Sequence, residues 1–260
     1  MLKGKTALVT GSTSGIGLGI ALSLARQGTN VVLNGFGETE GPLKEVQAAG
    51  KDHAIRVGYH GADMSKPADI EAMMAYIDKE FGGCDILVNN AGIQFVANVD
   101  EFPVDRWDAI IAINLTSAFH TMRLALPGMK QRQWGRVINI ASTHGLVASA
   151  GKSAYVAAKH GLIGLTKSAA LETATLPVTV NAICPGWVLT PLVQKQIDAR
   201  SAKEGLSEDE AKRQLLAEKQ PSLQFTTPEE LGALTVFLCS EAAVNVRGQA
   251  WAMDGGWTAQ

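Results

Sequence analysis

The chain has 260 residues, 46% of them hydrophobic and 18% charged, with a formal net charge of -2. That composition supplies a packed interior rather than a disordered segment, and the near-neutral charge leaves no field for gripping nucleic acid. Cys84, Cys184 and Cys239 are odd in number and far apart, which excludes a disulfide framework; no run reaches membrane-spanning length and no apolar leader precedes the first strand pattern, so a soluble, cytoplasmic protein with one domain over residues 1–260 is expected.

Thr6 to Thr10 is an apolar strand run ending at Gly11, and the turn Ser12-Thr13-Ser14-Gly15-Ile16-Gly17 opens an apolar-periodic helix to about Gln27. Such a turn lets backbone N–H groups and the positive end of a helix face a pyrophosphate, because Gly15 and Gly17 put no Cβ in the way. A second strand, Asn30 to Asn34, runs into Gly35-Phe36-Gly37-Glu38, where a dinucleotide fold reads the adenine ribose. The acid usual there is absent. Yet no Arg or Lys lies between Gly11 and Gly19 or between Asn34 and Gly41, and Glu38 would repel a 2′-phosphate. NAD is therefore favoured over NADP, with Phe36 either walling off the ribose 2′ position or standing as a surface-loop aromatic. The pattern repeats with a helix at Leu43 to Ala49, a strand at Ala54 to Tyr59 and a helix at Pro67 to Phe81, which implies a parallel sheet. Asp63, just beyond a strand's carboxyl end, is a candidate acceptor for adenine and equally a turn or N-cap residue.

Ile86 to Asn89 forms a fourth strand, closed by Asn90, Ala91 and Gly92, small residues suited to the floor of a cofactor site. A long helical region follows Pro103; Asn114 interrupts its apolar face, either at a kink that holds a water or at the surface. A fifth strand, Arg136 to Ala141, delivers Ser142, Thr143 and His144 to its carboxyl end. In the helix that follows, Tyr155 and Lys159 are four apart and share a face, about 5 to 6 Å between Cβ atoms, so the ammonium can favour a phenolate. Taken alone, that spacing fits an ordinary helix better than a catalytic one. Strand Val178 to Ile183 ends in Cys184-Pro185-Gly186-Trp187, and residues 188–220 leave the alternation as two polar helices separated near Gly205. They read as a lid, with a plain surface insertion as the alternative. Thr227-Pro228-Glu229-Glu230 is a capping box opening a helix to about Ser240, and a strand at Gln249 to Met253 leads to Trp257. The fold class is α/β: a doubly wound, Rossmann-type parallel sheet of seven strands with helices on both faces and a helical substrate lid. His53, His60, His120, His144 and His160 show no ligand spacing, so no catalytic metal is expected.

TGSTSGIG at Thr10 to Gly17, NNAG at Asn89 to Gly92, Asn114, Ser142, YVAAK at Tyr155 to Lys159 and Pro185-Gly186 together resemble the short-chain dehydrogenase/reductase family, in order along the whole chain. Within it, NGFG from Asn34, AGIQ ending at Gln94, HGLVAS from His144, KSAYVAAKHG, ICPGW ending at Trp187, EKQPSLQF from Glu218 and the terminal DGGWTA resemble the bacterial branch acting on D-3-hydroxybutyrate. The resemblance implies NAD as cofactor, interconversion of D-3-hydroxybutyrate and acetoacetate, and a homotetramer. It implies Tyr155 as general acid and base, Lys159 lowering its pKa and holding the nicotinamide ribose, Ser142 bonding the reacting oxygen, and Asn114 holding a water. It implies a carboxylate clamp of Gln94, His144, Lys152 and Gln196, with Trp187 and Trp257 closing the apolar side. Cofactor contacts are implied for Gly11, Thr13, Gly15, Ile16, Gly17, Phe36, Asp63, Met64, Asn90, Ala91, Gly92, Pro185, Gly186, Val188 and Thr190, besides Tyr155 and Lys159. Phe95 and Leu189 depart from that branch, which has His and Arg there. The rival readings are an NADPH-dependent 3-oxoacyl reductase, another short-chain hydroxy-acid or alcohol dehydrogenase, and a dinucleotide-sensing scaffold without activity. The Gln260 carboxylate stays open as a structural-ion ligand.

Overall fold

In the computed structural model, which describes residues 2–259, the strands are β1 (Thr6–Val9), β2 (Asn30–Asn34), β3 (Val57–His60), β4 (Ile86–Asn89), β5 (Gly135–Ile140), β6 (Val178–Pro185) and β7 (Ala250–Met253). They form one sheet in the order β3-β2-β1-β4-β5-β6-β7, with every pairing parallel. The central strands are short and buried along their whole length, mostly apolar, with Arg136, Asn139, Thr179 and Asn181 as buried polar positions in β5 and β6. Ala7 pairs with Val31 on one side and Ile86 on the other, so the winding direction reverses at β1 and a crevice opens beyond the carboxyl ends of β1 and β4. Gln260 lies outside the described residues.

Helices α1 (Gly15–Ala25), α2 (Glu40–Ala49) and α9 (Pro228–Cys239) cover one face, where Ile20, Leu24, Leu231 and Leu238 pack against Val31 and Leu33. On the other face lie α3 (Pro67–Phe81), α5 (Ser117–Gln131) and α6 (Ser153–Glu172); Ile70, Met73, Met122 and Met129 meet Leu8 and Leu87 there. Each of these fully buried side chains contributes roughly 1.5–3 kcal/mol. The shorter α4 (Val104–Ile111) leads into α5, and α7 (Pro191–Glu204) and α8 (Glu208–Ala217) follow β6. The Thr227–Glu230 capping box is present as expected, and Ser207 with Glu210 makes a second one at the start of α8. Strand β3 starts three residues later than the sequence suggests, because Lys51–His53 forms a 3-10 turn and Ala54 takes a left-handed φ of 50°.

One expectation from the sequence fails here. The helix from Val104 to Gln131 is continuous over 28 residues and is long and apolar enough to cross a membrane by length and composition. A π-helical turn, Ala112–Thr116, carries it past Asn114, whose side chain interrupts the apolar face. Ile110, Ala118, Met122, Ala125 and Met129 are buried along it and meet the protein's own core. The three cysteines are free and buried, and burial pushes their thiols up to about 11 or 12, which makes them inert packing residues.

Candidate active site

The crevice beyond β1 and β4 is a cavity of about 330 Å³, walled by Gly11, Gly15 and Ile16 on one side, Asn90, Ala91 and Gly92 on the floor, and Pro185, Gly186 and Thr190 opposite. Its floor is fixed by buried polar pairing. Thr10 Oγ1 accepts from the backbone N–H groups of Asn90 and Ala91, and Asn90 Nδ2 donates to the carbonyls of Thr10 and Gly11. Asn34 stands where the ribose-reading acid is usual and is spent on the scaffold: its Oδ1 accepts from Gly11 N–H and its Nδ2 donates to the carbonyls of His60 and Ala62.

The turn fits a dinucleotide phosphate. A Cβ on Gly11 would come within 2.9 Å of Ala91 Cα, and Gly15 has a φ of +57° that a side chain would strain. Helix α1 begins with no side-chain cap on its N–H groups and no acidic residue in its first turn, so its positive end is left unneutralised toward the cavity. Gly17 is buried behind the turn, where a Cβ would collide with the Gly11 carbonyl. Thr13, Phe36, Asp63 and Met64 lie outside the cavity wall. Thr13 Oγ1 donates to the Phe36 carbonyl while the Phe36 ring is 66% exposed, Met64 packs in the core, and the Asp63 carboxylate accepts from the backbone and hydroxyl of Ser65. The turn-residue reading of Asp63 is thus the one its bonds express, and they hold its carboxyl below the usual range.

Ser142, Tyr155 and Lys159 meet at the carboxyl end of β5, all three on the cavity wall. Lys159 is 3% exposed; its Nζ donates to the Ile140 carbonyl at 2.7 Å and lies 5.6 Å from the centre of the Tyr155 ring. Burial lowers Lys159 to about 8, so it remains mostly protonated at neutral pH. Tyr155 departs from expectation: burial pushes its phenol up, and the opposing pull comes from the Ser142 hydrogen bond rather than from Lys159, whose ammonium faces a carbonyl. Asn114 is buried, which removes the surface alternative, and it sits in the π-helical turn. Its Oδ1 accepts from Ile93 N–H at 2.8 Å and its Nδ2 donates to the Ile93 carbonyl at 2.9 Å. The amide clamps the loop after β4 to the irregular turn.

A second cavity of about 170 Å³ shares Ile16, Gln94, Ser142, Tyr155, Gly186 and Thr190 with the first. All six expected substrate residues line it: Gln94, His144, Lys152, Trp187, Gln196 and Trp257, with Val188 beside them. Its wall carries a lysine and no Asp or Glu among the described residues, which suits a small anion. Trp187 and Trp257 stand 6.3 Å apart by ring centres, and Trp257 meets His144 edge-on at 5.3 Å. Asp254, accepting from Gly256 and Thr258, folds the terminal turn that brings Trp257 in. Lys152 Nζ lies 5.7 Å from the Trp187 ring centre, and burial lowers its pKa. Phe95 and Leu189 line neither cavity; Phe95 packs on Phe102 and Leu189 is exposed, so their departures leave the pocket wall intact.

The family model described as short chain dehydrogenase matches residues 5–201. The chain belongs to that family. The D-beta-hydroxybutyrate dehydrogenase of Cupriavidus necator is 71% identical to this short-chain dehydrogenase over 260 residues, covering 100% of both chains. The enzyme of the same name from Rhizobium meliloti is 54% identical over 98% of this chain and 99% of its own. Among solved structures, the L-sorbose reductase of Gluconobacter frateurii, complexed with NADPH and L-sorbose, is similar with a TM-score of 0.93 at 32% identity, covering 100% of this chain and 98% of that one.

Residues 188–220 of this short-chain dehydrogenase carry a small core of their own, Val193, Ile197, Ala211 and Leu215, against which Trp187 and Phe225 pack. Thr190 caps α7 by accepting from Val193 N–H, and this turns Val193 and Gln196 to the smaller cavity. Gln220 accepts from Trp187 N–H and fixes the root of the segment. Thr143, delivered with Ser142 and His144 by β5, lines the smaller cavity; the sequence reading passes over Ser14, Ile93 and Val193, which also line the cavities and which only their neighbours in the fold reveal. His144, assigned to the clamp, lines the smaller cavity, and its ring nitrogens face the hydroxyls of Ser142 at 3.4 Å and Ser149 at 3.0 Å.

Burial, reinforced by the Lys152 ammonium, pushes His144 from its ordinary 6.5 down to about 4. The ring is expected to show no protonation step between pH 5 and 8 by NMR; a midpoint near 6.5 would contradict its burial. An unfolded chain takes up that proton as pH falls through 6.5, while the folded one refuses it until about 4. Stability is therefore lost with falling pH across that window, by up to about 3 kcal/mol, measurable as a urea-midpoint difference from His144→Gln.

Proposed function

We propose that this short-chain dehydrogenase interconverts D-3-hydroxybutyrate and acetoacetate with NAD. The observation that carries the reading is the small cavity in which Lys152, Gln94 and Gln196 gather beside the Ser142–Tyr155 pair, with two tryptophans opposite. A four-carbon acid with its carboxylate at one end, an oxygen on the third carbon and a methyl group beyond it matches that spread of a cation, amides and a proton-transfer pair. The full-length similarity to D-beta-hydroxybutyrate dehydrogenases supports the same substrate.

A bound nicotinamide dinucleotide supplies the hydride acceptor for oxidation and the donor for reduction. Gly11, Gly15, Ile16, Asn90, Ala91, Gly92, Pro185, Gly186 and Thr190 would hold it in the larger cavity, with Tyr155 and Lys159 at the nicotinamide end. Tyr155 takes the alcohol proton in oxidation and returns it to the carbonyl oxygen in reduction. In the empty site the Ser142 bond to Tyr155 favours the phenolate, and with substrate bound Ser142 turns its proton to the reacting oxygen. Lys152 anchors the carboxylate with charge while Gln94 and Gln196 supply donors, and the orientation so imposed decides which hydrogen faces the cofactor. Trp187 and Trp257 leave room for a methyl group. Gln196 comes from residues 188–220, so substrate draws this lid closed and excludes water.

NAD is preferred over NADP because both charged side chains in the Asn34–Gly41 turn, Glu38 and Glu40, are acidic, and Asn34 is already committed to the scaffold. Initial rates on D-3-hydroxybutyrate are expected to favour NAD over NADP at least about tenfold, the effect of one uncompensated charge contact; equal rates or a preference for NADP would overturn this. The protein is read as a cytoplasmic homotetramer, in keeping with its free buried cysteines, the exposed Val104, Trp107 and Phe119 on the α4–α5 flank, and Phe237 packed on Trp251 beside edge strand β7.

A further inference from the structure

We propose that Gln220 is a positioning residue that sets the size limit for the substrate's alkyl end: its side chain ties the strand exit that carries Trp187 to the terminal turn that carries Trp257, and so fixes the slot between the two rings. The inference rests on the reading that the methyl group of the four-carbon acid lies against those rings.

Gln220 follows α8, at the end of the lid segment, and is 1% exposed. A side-chain amide carries an acceptor on one side and donors on the other, and here both are used. Oε1 accepts from the Trp187 N–H at 2.8 Å, and Nε2 donates to the Gln224 carbonyl. The backbone is held as well: the Gln220 N–H donates to the Leu216 carbonyl at 2.7 Å, and the Gln220 carbonyl accepts from the Leu223 N–H at 3.0 Å. The loop 221–224 so closed lies on the terminal turn, where the Ser222 N–H donates to the Gly255 carbonyl at 3.0 Å.

Two glycines show how closely the backbone approaches this side chain. A Cβ on Gly186 would sit 2.5 Å from Gln220 Oε1, and one on Gly255 would sit 2.7 Å from Gln220 Cγ. Gly186 precedes Trp187 and Gly255 lies two residues before Trp257, so both rings leave one junction built on Gln220. The rings stand 6.3 Å apart with 32° between their planes, and both line the smaller cavity, whereas Gln220 does not. Its part is therefore indirect. Without the amide the Trp187 N–H loses its acceptor. The Trp187 carbonyl keeps its bond from the Thr226 N–H at 3.0 Å, so the strand exit pivots about that bond and the slot changes width.

The measurement is kcat/KM with NAD for D-3-hydroxybutyrate against D-3-hydroxypentanoate, which is one methylene longer. The parent protein should prefer the shorter acid at least about tenfold, the low end of what one methylene decides in an apolar pocket. Gln220→Met, which keeps the length and loses both hydrogen bonds, should cut that preference to about threefold or less. Gln220→Glu, held neutral by its burial, keeps an acceptor and a donor and should stay within about twofold of the parent preference. A side chain that served folding alone would slow both acids in parallel and leave the ratio where it was. Should the Met variant not fold, Gln220→Asn, too short to reach both partners, is read in the same way. A parent protein without the preference, a parent-like preference in the Met or Asn variant, or a Glu variant as unselective as the Met variant overturns the proposal. If the parent protein turns over neither acid, the substrate reading fails, and the exciton signal of the Trp187–Trp257 pair in circular dichroism, taken without substrate and assigned with Trp257→Phe, decides the role of Gln220: it should weaken in Gln220→Met and persist in Gln220→Glu, and an unchanged signal in Gln220→Met overturns the positioning role.

Discussion

Tyr155→Phe is expected to lower kcat/KM about a thousandfold in both directions, within the range that a positioned acid or base contributes. The substitution removes one O–H and keeps the ring, so the edge-on contact with His144 and the cavity wall remain and the fold should be unperturbed. Substrate KM and NAD affinity should move little, because the lost group acts on a proton in flight and not on the carboxylate or the phosphates. The pH dependence should change with it. In the parent protein the rate of oxidation rises with pH as the buried phenol, held above its ordinary range, gives up its proton; in the Phe variant the residual rate should be flat. A Phe variant within about tenfold of the parent would assign the proton to another group.

Lys152→Met should raise KM for D-3-hydroxybutyrate and lower kcat/KM about 10- to 100-fold, the scale of a charged hydrogen bond worth roughly 1.5–3 kcal/mol. The cavity wall offers the carboxylate no other cation and, among the described residues, no acid that would compete for the lysine. Burial already lowers the Lys152 pKa, so an anion entering the cavity relieves a charge that has lost part of its water. Methionine keeps the stem that packs near Trp187. The control is the methyl ester of the same acid, which lacks the anion: it should lose no more than about threefold, since no charged contact is removed. Equal losses on acid and ester would make Lys152 a packing residue.

Much of this was legible in the residues alone. The alternation of apolar runs and helical patterns announces the parallel sheet, because strands covered on both faces are predominantly apolar. Tyr155, Lys159 and Ser142 are found by their order along a chain whose strand ends all fall on one edge of the sheet. What the residues do once there depends on partners that sequence spacing does not reveal. Asn114 binds a loop residue 21 positions upstream, Asn34 reaches two elements beyond its own strand, and Lys159 spends its Nζ on Ile140. His144 lines the smaller cavity, and the two serines that its nitrogens face are not legible from spacing. The long helix through Asn114 is legible after Pro103, but the π-helical turn that accommodates the polar residue within it is not.

The central claim, a proton-transfer centre shaped for one small 3-hydroxy acid, is tested most directly by a time course of the purified protein with NAD and either D- or L-3-hydroxybutyrate, with acetoacetate quantified against NADH formed. Equal amounts of acetoacetate and NADH from the D enantiomer, with the L enantiomer slower by at least about a hundredfold, are the predicted result, since an anchored carboxylate presents only one face of the alcohol carbon to the cofactor. Turnover of neither enantiomer, or of both at similar rates, would contradict it.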